Sequence, residues 1–191
     1  MPEPRTLLLV EDDPDFIYLI RQVIDQCDAL CFLAATRRGE EGVALAQALH
    51  PDVVLMDLNL PGGIDGVTAA RAIRLTTDSR VLLLTSCEDP GVIIRASKRA
   101  FASGYIFKSQ CQTLVDIIRR TAEASTPEAT FIRELVLSVL SVAERSVVEM
   151  LLSSDKPLHS AEKTIANQKT SIFRKLGLRS TDELVHLFHD W

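Results

Sequence analysis

The sequence predicts two domains of different class: a doubly wound α/β domain with a five-stranded parallel sheet, and a small all-α domain after it. In the first part, short apolar segments alternate five times with segments of helical periodicity, as they do in a parallel sheet covered by helices. A small polar stretch broken by Pro127 follows. Beyond it, apolar residues recur only at helical spacing, so helices alone are expected there.

The predicted strands are apolar runs bounded by turn residues. The central run, residues 53–57, lies between Pro51 and Pro61 and is apolar throughout until it ends in the carboxylate of Asp57. Such a run is typical of a strand that is buried on both faces of a parallel sheet. The other four predicted strands are residues 6–10, 30–35, 80–84 and 104–107.

Amphipathic segments follow these strands and predict the helices of the first part. Pro14 suits the first turn of a helix, and the neighbouring acidic residues Asp13 and Asp15 suit the positive end of the helix dipole. The predicted helices are residues 14–27, 39–49, 65 or 66 to 75, 90–102 and 111–122.

The second part is separated from the first by a linker. We predict a first domain over residues 1–122, a linker over residues 123–129 and a helical domain over residues 130–191. Ser141 with Glu144, and Ser180 with Glu183, have the spacing of a capping box at a helix start. Gly177 suits a helix end. The predicted helices are residues 131–140, 142–152, 161–176 and 181–188.

Composition and charge restrict the class of protein. Hydrophobic residues make up 47% of the chain and charged residues 25%, as in ordinary globular domains. The net charge of −5 excludes a chain coated in basic surface. We found no apolar run long enough to span a bilayer and no signal peptide, so a cytoplasmic protein without a membrane partner is expected. The cysteines lack metal-ligand spacing and predict buried thiols in a reducing compartment; they are Cys27, Cys31, Cys87 and Cys111.

Four predicted strands end in residues that carry chemistry. The carboxyl ends of parallel strands meet at one edge of the sheet, where open α/β sheets bind ligands. Carboxylates, a hydroxyl and a lysine at that edge form a site for a divalent cation and a phosphoryl group. Any one of these residues alone would be typical of an ordinary turn or helix cap. The prediction depends on the set: Glu11-Asp12-Asp13 after the first strand, Asp57 after the third, Thr85-Ser86 after the fourth and Lys108 after the fifth.

This set of residues resembles the receiver domain of two-component response regulators, over about residues 5–122. The resemblance implies a flavodoxin-like fold in which Asp57 accepts a phosphoryl group from a sensor histidine kinase. It implies Mg²⁺ as the cofactor, held by Glu11, Asp12, Asp57 and the backbone carbonyl of Asn59. It also implies that Thr85 and Lys108 bind the phosphoryl oxygens, and that Tyr105 fills the space left when Thr85 moves inward.

The first part departs from the receiver pattern at two places. The loop 61–66 is one residue longer than is usual, and Ser109 stands where many receivers have proline. Because a cis peptide bond costs more before residues other than proline, we expect a trans bond after Lys108.

The helical domain resembles the helix-turn-helix output domain of NarL/LuxR-type regulators, at residues 140–145 and 163–178. The resemblance implies a homodimer, formed on phosphorylation, that binds promoter DNA and controls transcription. Residues 153–179 carry a net charge of +4 and the rest of the chain −9, which is a local basic footprint, although a solvated helix face would show the same charge. The predicted DNA contacts share one helix face and are Lys163, Asn167, Thr170 and Arg174.

The output domain is shortened, which leaves two functions open. The connection 153–160 is too short for the scaffold helix that the family fits there, and Ala166 and Gln168 replace residues that are often Lys and His. The chain is then either a DNA-binding transcription regulator or a phosphorylation-controlled signalling protein whose degenerate output domain binds a protein partner. No enzyme is expected beyond slow self-dephosphorylation. Haloacid-dehalogenase-like phosphatases usually have a second Asp two residues after the nucleophile, where this chain has Asn59.

Overall fold

The computed structural model describes residues 3–153, 162–189 and 191, with the backbone alone at residues 111, 112 and 162. The chain divides into two compact units between Ile132 and Arg133. The first unit is built on a five-stranded parallel sheet with the strand order β2-β1-β3-β4-β5. This doubly wound α/β architecture confirms the predicted fold class.

Buried apolar runs form the strands of the sheet, and their bounds agree with the predicted ones to within one residue at each end. All five residues of the central strand β3 are buried, because helices cover both faces of a sheet of this kind. Ile20, Ile24, Leu114 and Ile118 from two of the helices pack on β1, β3, β4 and β5 in one hydrophobic core. The strands are β1 Arg5–Val10, β2 Leu30–Thr36, β3 Val53–Asp57, β4 Arg80–Thr85 and β5 Gly104–Phe107.

Aspartate side chains start three of the helices in this unit. Asp13, Asp65 and Asp89 each accept backbone N–H groups of the first helical turn, which satisfies donors that have no partner within the helix. The last predicted helix starts later than expected, since Lys108–Thr113 forms a 3₁₀ segment instead. The α-helices are α1 Pro14–Asp25, α2 Gly39–Leu49, α3 Gly66–Thr76, α4 Pro90–Ala100 and α5 Leu114–Glu123.

Among the described residues after α5, all regular elements are helices. The first of these helices was expected from residue 131 but begins at Pro127, inside the segment 123–129 that we predicted as a linker. Pro127 is a favourable first residue of a helix and does not break this one, and the Thr126 hydroxyl accepts the Ala129 N–H at 3.1 Å. The helices are α6 Pro127–Leu137, α7 Val142–Leu152, α8 Glu162–Leu176 and α9 Thr181–His189.

The predicted helix ends of the second unit are formed as the residue pattern implies. Ser141 and Glu144 make both hydrogen bonds of a capping box at the start of α7. Gly177 follows α8 with a φ of 66°, a left-handed conformation that glycine adopts without strain. The predicted short connection 153–160 lies, from residue 154 onward, outside the described residues.

The cysteine thiols, the peptide bond after Lys108 and the hydropathy of the helices were also predicted from the sequence. The described thiols, Cys27, Cys31 and Cys87, are free, but each is half-buried and not buried as expected. The peptide bond after Lys108 is trans. Over the described ranges, we find no helix whose length and hydropathy would allow it to cross a membrane.

Candidate functional site

Three strand ends bring Glu11, Asp57 and Lys108 into contact. Glu11 follows β1, Asp57 is the last residue of β3, and Lys108 follows β5. The Lys108 Nζ atom lies 3.0 Å from Asp57 Oδ2, and 2.8 and 2.7 Å from the two carboxylate oxygens of Glu11. One ammonium group therefore joins two buried carboxylates at the carboxyl edge of the sheet.

Asp12 extends this contact into a cluster of three carboxylates. One oxygen of each of Glu11, Asp12 and Asp57 lies within 4.8 Å of the others. When all three are ionised, the charge of Lys108 leaves the cluster with a net charge of −2. Mg²⁺ prefers carboxylate oxygens as ligands in proteins. One Mg²⁺ ion would neutralise the net charge of −2 that the cluster carries. The residues present therefore fit Mg²⁺.

Burial and mutual contact set the ionisation of this cluster. Burial raises the pKa of Glu11 above its ordinary value, and the hydrogen bond from Lys108 opposes this rise. Burial by itself would lower the pKa of Lys108, but the hydrogen bonds and charges of Glu11 and Asp57 together outweigh it and raise the pKa. Lys108 thus stays protonated at neutral pH, and its positive charge is fixed in the site.

The loop after β3 is held around the Asp57 carboxylate. The Asn59 N–H donates to Asp57 Oδ1 at 3.2 Å, while the Asn59 side chain is exposed. At the start of α3, Gly66 lies directly against the Asp57 backbone, and a Cβ atom on Gly66 would overlap the Asp57 carbonyl oxygen. Sequence reasoning took Gly66 only as a helix boundary. The available signal was a glycine immediately after the capping Asp65.

Thr85 and Tyr105 do not contact the carboxylates. Thr85 is buried at the end of β4, where its hydroxyl accepts the Cys87 N–H at 2.9 Å and donates to the Cys87 carbonyl at 3.4 Å. The Tyr105 side chain is 39% exposed, and its ring lies edge-on to Phe107 with 5.7 Å between the centroids. In this structure the Thr85 hydroxyl is thus engaged by the loop that follows β4.

Helix α8 separates its polar and apolar residues onto two faces. Ile172 and Leu176 are buried and Ile165 is half-buried. These apolar residues attach the helix to its own unit, as the helical spacing implies. The predicted DNA contacts are all exposed: Lys163, Asn167, Thr170 and Arg174.

Glu144 joins the start of α7 to the end of α8. Its buried carboxylate accepts the Ser141 N–H at 2.7 Å and lies 2.7 Å from the Lys175 Nζ atom. The hydrogen bond from Lys175, together with bonds from Ser141 and Ser171, lowers the pKa of Glu144 to about 2. Sequence reasoning identified Glu144 only as part of a helix cap, since its contact with Lys175 exists only in the folded unit.

The strand-end cluster on a doubly wound sheet defines a class of protein. Residues 7–119 match the response regulator receiver domain, and the chain belongs to this family. Its predicted resemblance to receivers is confirmed.

The similarity to known proteins covers nearly the whole chain. The chain is 27% identical to the nitrate/nitrite response regulator protein NarL of Escherichia coli (strain K12), with 98% of this chain and 88% of NarL covered. It is 29% identical to the response regulator UvrY of Escherichia coli O6:H1, with 95% and 92% covered. The fold matches a two-component response regulator of the LuxR family from Aurantimonas sp. SI85-9A1 with a TM-score of 0.60 and 28% identity, covering 71% of this chain and 97% of that one. Over nearly its whole length, the chain is thus similar to response regulators of the NarL/LuxR type.

Proposed function

We propose that Asp57 accepts a phosphoryl group from a sensor histidine kinase and that this modification controls the output of the helical unit. The observation that carries the proposal is the position of Asp57, buried at the end of β3 and 3.0 Å from Lys108 within a three-carboxylate cluster. A nucleophilic carboxylate, a fixed cation and a metal-compatible donor set are the parts that phosphoryl transfer needs.

The residues divide the chemistry among them. A carboxylate oxygen of Asp57 forms the new bond to phosphorus, while the bond from phosphorus to the donor breaks and the donor leaves. Lys108 is placed to donate to the phosphoryl oxygens, because its Nζ atom already contacts Asp57. Mg²⁺, when bound, neutralises charge on the phosphoryl group. It would be held by the carboxylates of Glu11, Asp12 and Asp57 and the backbone carbonyl of Asn59. The chain turns over no external phosphate ester and acts as an acceptor.

Changing Asp57 to Asn is expected to abolish phosphorylation, since the amide is not a nucleophile for this transfer. The measurement is the intact mass after incubation with a small phosphodonor and Mg²⁺. Asp116→Asn, at an exposed carboxylate on α5 outside the cluster, is the matched control and should gain phosphate as the wild type does. Chelating Mg²⁺ should also stop the gain. Equal phosphate on wild type and Asp57→Asn would rule out the assignment.

We further propose that Thr85, Tyr105 and Lys108 couple phosphorylation to dimerisation. Support comes from Thr85, whose hydroxyl bonds only to the backbone of Cys87 among the described residues and could exchange these bonds for a charged phosphoryl oxygen. Movement of Thr85 would leave a space that the exposed Tyr105 ring can enter. Such a switch needs two states that differ by only a few kcal/mol.

Removing the Thr85 hydroxyl is therefore expected to uncouple the switch. A hydrogen bond to a charged group contributes about 1.5–3 kcal/mol, so phosphorylated Thr85→Ala should dimerise about tenfold or more weakly than phosphorylated wild type. Thr85→Ser keeps the hydroxyl and should retain most of the response. The readout is sedimentation velocity on samples with equal phosphate content. Wild-type dimerisation by Thr85→Ala would contradict this role.

For the helical unit we propose promoter binding by a dimer, through the exposed face of α8. The opposite face is occupied by buried Ile172 and Leu176, so the face with Lys163, Asn167 and Arg174 is the one available to a major groove. Lys163 and Arg174, near the two ends of the helix, suit phosphates. Asn167 and Thr170 suit base edges, where Asn can pair with adenine and the Thr methyl with thymine.

A salt titration of DNA affinity tests this face. Arg174→Ala or Lys163→Ala should weaken binding to all sequences alike and reduce the salt slope by about 1 each, whereas Asn167→Ala should relax sequence preference. Lys175→Ala is the contrasting variant. Lys175 is held by Glu144, so its loss should lower the stability of the unit and leave the salt slope nearly unchanged.

One observation favours a protein partner as the second candidate output. The positions where base contacts are expected, Ala166, Asn167 and Thr170, carry no positive charge, and Lys175 is paired within the unit. If the phosphorylated protein binds no sequence better than bulk DNA at low salt, the helical unit is a protein-binding module. Phosphorylation-dependent binding of that partner would then replace the DNA readout.

A further inference from the structure

A cavity of about 270 Å³ lies next to the strand-end cluster. We call it the α4 cavity, because α4 supplies one of its walls with Val92, Arg95, Ala96 and Arg99. The loop after β3, the first turn of α3 and the end of β4 form the rest. Asp57 is not among the residues that line it, whereas Asn59 and Thr85 are, so the α4 cavity borders the proposed phosphoacceptor site without containing Asp57.

Two arginines give the α4 cavity a positive wall. Arg95 and Arg99 lie one helical turn apart, and α4 has no acidic residue. Asp65 is an acidic neighbour of Arg99. Hydrogen bonds from Thr68 lower the pKa of Asp65, and the positive charge of Arg99 lowers it further. Arg95 has no ion-pair or hydrogen-bond partner for its guanidinium within residues 3–153 and 162–189. The wall can therefore take further negative charge.

We propose that the α4 cavity is a non-covalent binding site for a small organic phosphate. Guanidinium groups match the geometry of a phosphate group and stay charged at every accessible pH. Val67, Val92 and Ala96 offer an apolar surface to the body of the ligand. Sites for drug-sized molecules usually measure about 300–1,000 Å³, so the α4 cavity takes a smaller ligand, of the size of a phosphomonoester with one ring.

Thr85 connects the α4 cavity to the phosphoacceptor. It lines the cavity with its hydroxyl engaged by Cys87, which is itself part of the wall. In a step that rests on the proposed function, phosphorylation of Asp57 draws the Thr85 hydroxyl toward the phosphoryl group and changes this wall. Phosphorylation then weakens ligand binding in the α4 cavity. For a phosphoryl analogue that binds reversibly at Asp57, each ligand reduces the affinity for the other by the same factor.

Binding of phenyl phosphate to the full-length protein tests the site. In Mg²⁺-free buffer, amide NMR resonances around Thr85 and Val92 should shift and saturate. The double variant Arg95→Ala/Arg99→Ala should bind about tenfold or more weakly, since it loses hydrogen bonds to a charged group. Arg119→Ala, at an exposed arginine outside the cavity, should bind as the wild type does. Both arginines of α4 are exposed, and unchanged thermal stability of the double variant would show that it folds.

Inorganic phosphate and phenol test the charged and the apolar contacts of the site separately. Each should bind more weakly than phenyl phosphate, because each lacks either the apolar body or the anionic group. The proposal is overturned if phenyl phosphate shows no saturable binding at millimolar concentration, or if the double variant binds it as tightly as the wild type.

A second titration tests the coupling. Beryllium trifluoride with Mg²⁺, as a stand-in for the phosphoryl group on Asp57, should weaken phenyl phosphate binding relative to Mg²⁺ alone. Unchanged affinity would overturn the coupling. Failure of Asp57 to gain phosphate in the mass measurement would instead overturn the proposed function, and the Mg²⁺-free titration would be unaffected by it.

Discussion

Changing Lys108 to Met is expected to destabilise the first unit by about 3 kcal/mol in Mg²⁺-free solution, because removing one partner of a buried ion pair leaves the other charge uncompensated. The Glu11 and Asp57 side chains are 0% and 3% exposed, and Lys108 is 20% exposed. Methionine preserves the length of the side chain and removes its charge. The measurement is the protection of β3 amides from hydrogen exchange, which reports opening of this unit within the full chain.

Controls separate this effect from the loss of an ordinary surface pair. Arg119→Met removes the partner of Asp116, and both side chains are about half exposed or more, at 49% and 69%; it should cost about 1 kcal/mol or less. The loss in Lys108→Met should shrink as the pH falls, since the pKa of Glu11 is already raised by burial and protonation removes the repulsion. Mg²⁺ should stabilise the variant more than the wild type. Equal protection of Lys108→Met and Arg119→Met would contradict the account.

The second large effect is expected from Gly66→Ala. The added Cβ would overlap the backbone carbonyl oxygen of Asp57, and backbone atoms at the junction of β3 and α3 cannot rotate away as a side chain would. We expect a loss of about 3 kcal/mol, at the upper end of ordinary overpacking. Slower phosphate gain at Asp57 should accompany it, because the loop around the carboxylate must shift.

Gly62→Ala is the control for Gly66→Ala. Gly62 has a φ of 65° and no atom within 4 Å of an added Cβ, so only the left-handed backbone conformation is penalised, at about 1 kcal/mol. Hydrogen exchange of β3 amides and the rate of phosphate gain apply to both variants. A Gly66→Ala protein as stable and as readily phosphorylated as Gly62→Ala would show that the close approach of α3 is not needed.

The sheet and the meeting of its strand ends were predictable because they depend on local patterns. An apolar run that ends in a carboxylate, such as Val53–Asp57, is typical of the centre of a parallel sheet, and parallel strands place their last residues at one edge. Glu11, Asp57 and Lys108 are therefore neighbours in the structure although they are far apart in sequence. The distances between these three residues along the sequence, taken without the strand pattern, would not have predicted that they are neighbours.

Other features depend on interactions that a local pattern does not contain. Pro127 was interpreted as part of a linker, but proline also begins helices, and the Thr126 hydroxyl caps the helix that starts here. Two contacts depend on how strands, helices and loops pack in the folded chain. They are the close approach of Gly66 to the Asp57 carbonyl and the hydrogen bonds between Thr85 and Cys87. The half-buried positions of Cys27, Cys31 and Cys87 reflect the same limit, since apolar neighbours in sequence do not measure accessibility.

The carboxylate of Glu144 competes with any external anion for the ammonium group of Lys175. Lys175 already has a buried acceptor at 2.7 Å, so much of its charge is offset before a DNA phosphate or an acidic side chain approaches its remaining donors. Displacement of Glu144 from Lys175 would leave the carboxylate buried beside Ser141 without its cation and would loosen the end of α8 from α7. The second unit therefore offers a polyanion less positive charge than its basic residues suggest, because Glu144 offsets the charge of Lys175 within the unit.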